Sequence, residues 1–255
     1  MSRALGVPGI PEDTELAIVQ RDIDLVRETG VHVHFQHVST AISFDAIRRA
    51  KAEGLPITCE TAPHYLALND EALLKYGTLA KMNPPLRSEQ DRQATIAAIA
   101  DGTVDMIATD HAPHTLAEKG LGFLEAPNGI IGLECAFGVC HRILVDGGYI
   151  SNERLIELMA LNPASLMGRH STDIAGLLNT SSTCATTRTL DLAATEHPES
   201  NDLVILGLDD EWTVTADEFQ SNARNTPFDG WQVTGRPYAT IIGSRLVFTR
   251  LDALD

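Results

Sequence analysis

Positive charge is scarce in this sequence. Lysine and arginine together number 19 against 35 aspartates and glutamates, for a formal charge of -16. The field around such a molecule repels phosphate backbones and anionic lipid, so neither a nucleic-acid partner nor a membrane partner is expected. Long apolar runs are also missing: none approaches the roughly 18 residues of a membrane span. The opening Met1-Ser2-Arg3-Ala4-Leu5 passes straight into Gly-Val-Pro-Gly without the apolar centre of a secretion signal. A cytoplasmic protein is expected. Cysteine is sparse, and Cys59, Cys135, Cys140 and Cys184 form no C-x-x-C pair, which argues against a disulfide framework and suits reduced thiols. Apolar residues are plentiful, at 44% of 255. That suffices for one large core, with or without a small additional unit.

Hydrophobic periodicity organises the first two thirds of the chain. Leu16, Val19, Ile23 and Val26 fall on one face of residues 12–29, with Pro11 before them and Gly30 after, predicting an amphipathic helix. "VHVHFQHVS" alternates as a strand does and "TAISFDAIRRAKAE" reads as the next helix. "PITCETA", "LAKMN" and "VDMIATD" predict three further strands. "SEQDRQATIAAIAD" predicts a helix opened by a Ser-x-x-Asp cap, and "SNERLIELMALNPASLMG" a helix capped by Ser151. Strands alternating with helices point to parallel βα units. Residues 171–190 are rich in Ser and Thr and lack periodicity, so a boundary is placed near 170. "DLVIL", "EWTVT" and "ATIIGSRLVFT" beyond it predict a small β-rich unit.

Three residues with metal-ligand chemistry stand where predicted strands run into loops: His37 in "QHVST", His64 in "TAPHY" and Asp110 in "ATDHAPH". In a parallel barrel those strand ends converge on one face. Two imidazoles and a carboxylate suit a catalytic zinc that keeps a position open for water. His32 and His34 spell a tempting His-x-His pair, but strand alternation counted from His37 turns them to the opposite face, toward the helices. In "KMNPPLR", Asn83 offers an amide that both donates and accepts, and Arg87 a cationic fork; both suit a small anionic substrate. A turn residue and a solvated charge are their plainer readings. In "EAPNGIIGLE", Pro127 and Gly129 mark a loop where backbone can approach a ligand closely.

With "KMNPPLR" and "ATDHAPH" joined by "HFQHVSTAIS", "ITCETAPHYLALND", "EAPNGIIGLE" and "NTPFDGW", the chain resembles the dihydroorotases of the cyclic-amidohydrolase superfamily from about Gly6 to Val247. The resemblance implies a zinc-dependent (β/α)8 TIM-barrel hydrolase that interconverts dihydroorotate and N-carbamoyl-L-aspartate in pyrimidine biosynthesis. It implies His37 and His64 as metal ligands after the fifth and sixth strands, and Asp110 as both eighth-strand ligand and catalytic proton shuttle. Asn83 and His114 then hold the ring and its carboxylate, assisted by the backbone of Pro127 and Gly129.

The departures matter as much. The family's Asp-x-His-x-His segment and its fourth-strand lysine or aspartate ligand are not found, Tyr65 stands where many relatives carry histidine, and Asn128 replaces an apolar residue. The expectation is therefore a barrel portion of about strands 5–8 in residues 1–170, followed by a β unit in 171–255. A chain of that kind is expected to be truncated, to self-associate or to pair with a complementing chain, and to be inactive alone. A noncatalytic homologue that partners aspartate transcarbamoylase, and a dihydropyrimidinase- or allantoinase-type hydrolase, are the competing readings.

Overall fold

Among the described residues two separate three-stranded sheets form, and they do not close into a barrel. The computed structural model describes residues 1–169, 202–243 and 245–250. Helices α1 (Ser2–Leu5) and α2 (Asp13–Thr29) lead into β1 (Val33–Phe35), α3 (Ala41–Ala52), β2 (Ile57–Thr61), α4 (Pro63–Ala67), α5 (Ala72–Tyr76), α6 (Glu89–Ala100) and β3 (Met106–Ile107). Then come α7 (Leu116–Lys119), α8 (Ala136–Cys140), α9 (Asn152–Ile156) and α10 (Asn162–Leu166), with π-helical turns following α8 and joining α9 to α10. Strands β4 (Leu203–Thr213), β5 (Gln232–Ile242) and β6 (Arg245–Thr249) complete the described chain. The boundary expected near 170 lies outside the described residues.

The first sheet is parallel, in the order β1-β2-β3, with Phe35 opposite Cys59 and Thr61 opposite Ile107. Its helices begin where the sequence places the caps. Thr40 accepts from the Ser43 amide at the start of α3, Ser88 from Asp91 at α6 and Ser151 from Arg154 at α9. Val33, Phe35, Ile57, Cys59 and Ile107 turn toward the helices and pack with Val19, Ile23, Val26, Phe44, Ile47 and Ile99. Complete burial of a side chain such as Ile47 contributes about 1.5–3 kcal/mol.

Four parallel strands were expected and three form. "LAKMN" is not a strand: a 3-10 turn occupies Gly77–Ala80 and β2 pairs directly with β3. Lys81 instead accepts from the Gly129 amide through its carbonyl and donates its ammonium to the Ala126 carbonyl at 2.6 Å, so this stretch is stitched to the 124–129 loop. The two prolines that follow remove the amides a continuing strand needs.

The second sheet is antiparallel, in the order β4-β5-β6, and "DLVIL" and "EWTVT" merge into the single bulged strand β4. It is no loose appendage. Val214, Phe228 and Val233 share a buried cluster with Ile130, Ile131, Cys135 and Val139. A Cβ on Gly138 would lie 2.8 Å from Val233, so glycine there lets α8 reach the strand.

Candidate active site

Two backbone positions stand apart from all others. His37, just past β1, has φ 39° and Asp110, just past β3, has φ 46°; among the described residues they are the only non-glycines with positive φ. A left-handed side-chain-bearing residue costs on the order of 1–3 kcal/mol and persists only where its surroundings hold it. Around His37 the restraint is visible. The Val38 amide donates to the Glu60 carbonyl at 2.9 Å and Thr61 Oγ1 to the Val38 carbonyl at 2.9 Å. Glu15, reaching over from α2, accepts from the amides and hydroxyls of both Ser39 and Thr40, with the hydroxyl contacts at 2.6 and 2.7 Å. A carboxylate there also complements the positive end of α3. On the other side of the site, the Ala108 amide donates to the Thr61 carbonyl, and the Ala112 amide to Ile130. The His111 ring accepts from the Gly132 and Leu133 amides.

His64 enters on the first turn of α4, directly after β2, and is 2% exposed. Burial, with the neighbouring His37 imidazole as a second cause, pushes its pKa down to about 3, so the ring is neutral at ordinary pH. Its Nε2 and the Nδ1 of His37 are buried and have no hydrogen-bond partner. Orphaned buried nitrogens are rare, and two imidazoles offering free nitrogens from adjacent strand ends suit a zinc ion. The fit is partial: among the described residues no group of three His, Cys, Asp or Glu side chains is placed to hold a metal. The structure brings His37 and His64 together but does not complete a three-ligand cluster with Asp110.

Tyr65 is buried beside them, 4.2 Å from the His64 ring centroid in an edge contact. Its hydroxyl donates to the Pro84 carbonyl at 2.7 Å, and burial, reinforced by the charges of Asp110 and Glu15, pushes its phenol well up. The peptide bond before that carbonyl, Asn83-Pro84, is cis. Asn83 is exposed there. Arg87 is no free cationic fork: its Nε donates to Ser39 Oγ at 3.3 Å and its Nη1 to the Ile10 carbonyl at 2.7 Å, tying the N-terminal segment to the His37 loop.

His114 lies after the Pro113 step, and its Nε2 sits 2.9 Å from the Asn128 carbonyl. A carbonyl only accepts, so Nε2 carries the proton. The polar backbone of Pro127 and Gly129 is already engaged. Lys119, 2% exposed, donates its ammonium to both carbonyls at 2.9 and 3.0 Å, and the Gly129 amide donates to the Lys81 carbonyl. Burial, and then the Lys81 charge, brings Lys119 down to about 8. Close approach to a ligand at Gly129 is thus a matter of shape: a Cβ there would lie 2.7 Å from the His114 ring.

The expected orientation of His32 and His34 is reversed. Both rings contact Thr58 Oγ1, at 3.1 and 2.9 Å, and His34 Nε2 lies 3.2 Å from Glu60, on the sheet face away from the helices. The left-handed turn at His37 breaks the alternation from which their face was counted. Glu15, Lys119 and Asn225, which holds the His114 segment, escape sequence reasoning because their partners are distant in the chain. The Ser39-Thr40 pair at a helix start was the one local sign that an anion is wanted there.

No family profile matches the chain. Among curated proteins, it is 39% identical over 246 residues to a dihydroorotase of Acetivibrio thermocellus, covering 96% of this chain and 53% of that protein. A dihydroorotase of Lactiplantibacillus plantarum is 42% identical over 244 residues, 96% of this chain and 52% of its own. The chain spans about half the length of the curated relatives it matches. Among solved structures, the L-hydantoinase (dihydropyrimidinase) of Arthrobacter aurescens superposes with a TM-score of 0.78 at 30% identity, over 94% of this chain and 50% of that one. A dihydropyrimidinase from Brevibacillus agri, 22% identical with a TM-score of 0.72, shares the fold.

Proposed function

We propose that this chain, a dihydroorotase homologue spanning about half the length of its curated relatives, carries the strand 5–8 portion of a zinc-dependent cyclic amidohydrolase acting on dihydroorotate and N-carbamoyl-L-aspartate. The observation that carries this reading is the strand-end geometry: His37 and Asp110 are held left-handed, and His37 and His64 keep buried nitrogens unpaired. His37, His64 and Asp110 would hold the metal together with ligands from a complementing chain. Zinc, when bound, supplies Lewis acidity toward the ring carbonyl and an acidified water. Asp110 would act as general base toward the attacking water and as general acid toward the leaving ring nitrogen. Asn83 and His114 orient the ring and its carboxylate, and Gly129 leaves room beside His114.

The test mixes the purified chain with a polypeptide carrying the part of a relative's sequence that the match leaves uncovered, with zinc, and assays dihydroorotate, dihydrouracil and allantoin. Hydrolysis of dihydroorotate above the other two supports the reading. Preference for dihydrouracil or allantoin makes the chain a dihydropyrimidinase- or allantoinase-type hydrolase. An inactive complex that copurifies with aspartate transcarbamoylase without zinc makes it a noncatalytic partner, and both outcomes overturn the proposal.

A further inference from the structure

Asn225 lies in the C-terminal part of the chain, between β4 and β5, and is completely buried. Its side-chain hydrogen bonds all run to the 112–129 part of the chain. The amide oxygen accepts from the His114 backbone N–H at 3.0 Å, and the amide nitrogen donates to the Ala112 and Gly129 carbonyls, both at 3.0 Å. Its own carbonyl accepts from the Ile131 amide at 3.0 Å. One side chain therefore joins the two segments that flank His114, from a position more than a hundred residues away along the chain.

The segment that carries Asn225 is itself held from several directions. Glu134 accepts from the Gln220 and Ser221 amides at 2.8 and 3.0 Å, and Thr226 Oγ1 accepts from the Phe228 amide. Phe228 is 1% exposed and packs edge-on against Trp231 at 5.2 Å. On the other side, His114 has little freedom left: its ring donates to Asn128 and leans on a position where only glycine fits. An amide that both donates and accepts is the one side-chain chemistry able to satisfy an N–H and two carbonyls at once, and glutamine shares it only with a longer stem.

We propose that Asn225 is a positioning residue for His114, so that the C-terminal β unit sets the geometry of the substrate-carboxylate end of the site. The functional half of this proposal rests on the reading of His114 as a substrate-binding residue; the structural half does not. Alanine at 225 removes all three bonds. Aspartate keeps the size and the acceptor for His114, but sets carboxylate oxygens against two carbonyl oxygens. Both variants should loosen the loop locally.

Backbone amide hydrogen exchange on the purified 255-residue chain reads the structural half. The expected result is a protected His114 amide in the wild type that exchanges at least about tenfold faster in Asn225→Ala, the scale of one lost hydrogen bond. The Phe35 and Cys59 amides in β1 and β2 should keep their protection. In the complemented enzyme, Asn225→Ala should raise KM for dihydroorotate about tenfold while kcat stays within about threefold, the signature of lost uniform binding. An unprotected His114 amide in the wild type overturns the proposal, and this measurement needs no variant to fold. So does equal loss of protection in β1 and β2 in both variants, which marks a general stabiliser, or a fall in kcat at constant KM. If the wild-type complemented enzyme leaves dihydroorotate untouched, the functional reading falls, and the exchange data still decide whether Asn225 positions His114.

Discussion

Asp110 carries two demands on one residue, a left-handed backbone and a carboxylate, and substitution separates them. Asparagine tolerates the left-handed region as aspartate does, because its short polar side chain serves the local backbone in the same way. Asp110→Asn in a complemented enzyme should therefore lower turnover by about 10²–10⁴-fold, the usual contribution of general acid-base catalysis, while the melting temperature of the chain stays unchanged. Retention of more than about a tenth of the rate would remove Asp110 from the proton-transfer role. At Tyr65 the expectation is the converse. Tyr65→Phe removes the donor of the half-buried Pro84 carbonyl, so it should lower stability by about 1 kcal/mol, measured as a shift in the denaturant midpoint. His37, His64 and Asp110 were legible as candidates because chemistry and strand-end position coincide in a few letters of sequence. The left-handed backbone of His37 and Asp110 was not, since positive φ at a residue other than glycine has no firm sequence signature.

Helix α3 is held at its start by a side chain from its neighbour. Glu15 on α2 receives the Ser39 and Thr40 amides and hydroxyls, bonds to a charged acceptor that contribute roughly 1.5–3 kcal/mol each when well formed. Glu15→Gln keeps the shape but loses the charge and sets an NH2 against those donors. It should lower the denaturant midpoint and loosen the loop that carries His37, visible as faster exchange of the Ser39 and Thr40 amides; unchanged protection there would remove Glu15 from that role. Helix α6 gives a pH-dependent counterpart. Glu89, in its first turn, is held down to about 2 by Arg92, then Gln93 and Asn69. A carboxylate depressed in the fold contributes stability that is present above its unfolded pKa and lost as pH falls through the folded one. The stability gap between wild type and Glu89→Gln should therefore narrow between about pH 4.5 and 2 and stay level above that window. Denaturation series at several pH values check it, and a gap that ignores pH would contradict the ion-pair assignment. The helices were readable because each brings its own evidence: an apolar stripe, a Ser or Thr cap, a closing glycine. "LAKMN" misled because a short apolar run bounded by turn residues looks alike in a strand and in a segment pinned by Lys81 to a distant loop. For His32 and His34 the alternation rule was sound but was counted across a residue that breaks it.

The arrangement of the whole molecule leaves apolar surface without cover. The outer edges of β1 and β3 carry no further strand among the described residues, and open edges of a parallel sheet invite pairing with another chain. On the antiparallel sheet, Val204, Ile205, Ile242, Leu246 and Val247 are each about half exposed or more, and every residue of β6 is exposed. Neighbouring exposed apolar side chains on a sheet mark a surface that another polypeptide covers. The charge of -16 opposes close approach of two copies, and salt screens that repulsion over about 8–10 Å at ordinary ionic strength. Self-association of the isolated chain should therefore strengthen from low salt to physiological salt, as read by sedimentation velocity at both. Zinc binding by the isolated chain should be weak, because His37 and His64 present free buried nitrogens at the strand ends but no group of three ligands is assembled among the described residues. Two imidazoles lack the third protein ligand that catalytic zinc sites use. Adding the complementing polypeptide should reverse both properties together, converting a salt-dependent mixture of oligomers into one complex with tightly bound zinc. A monodisperse chain that holds zinc tightly by itself would overturn this account, and would bring His32 and His34 back as candidate ligands.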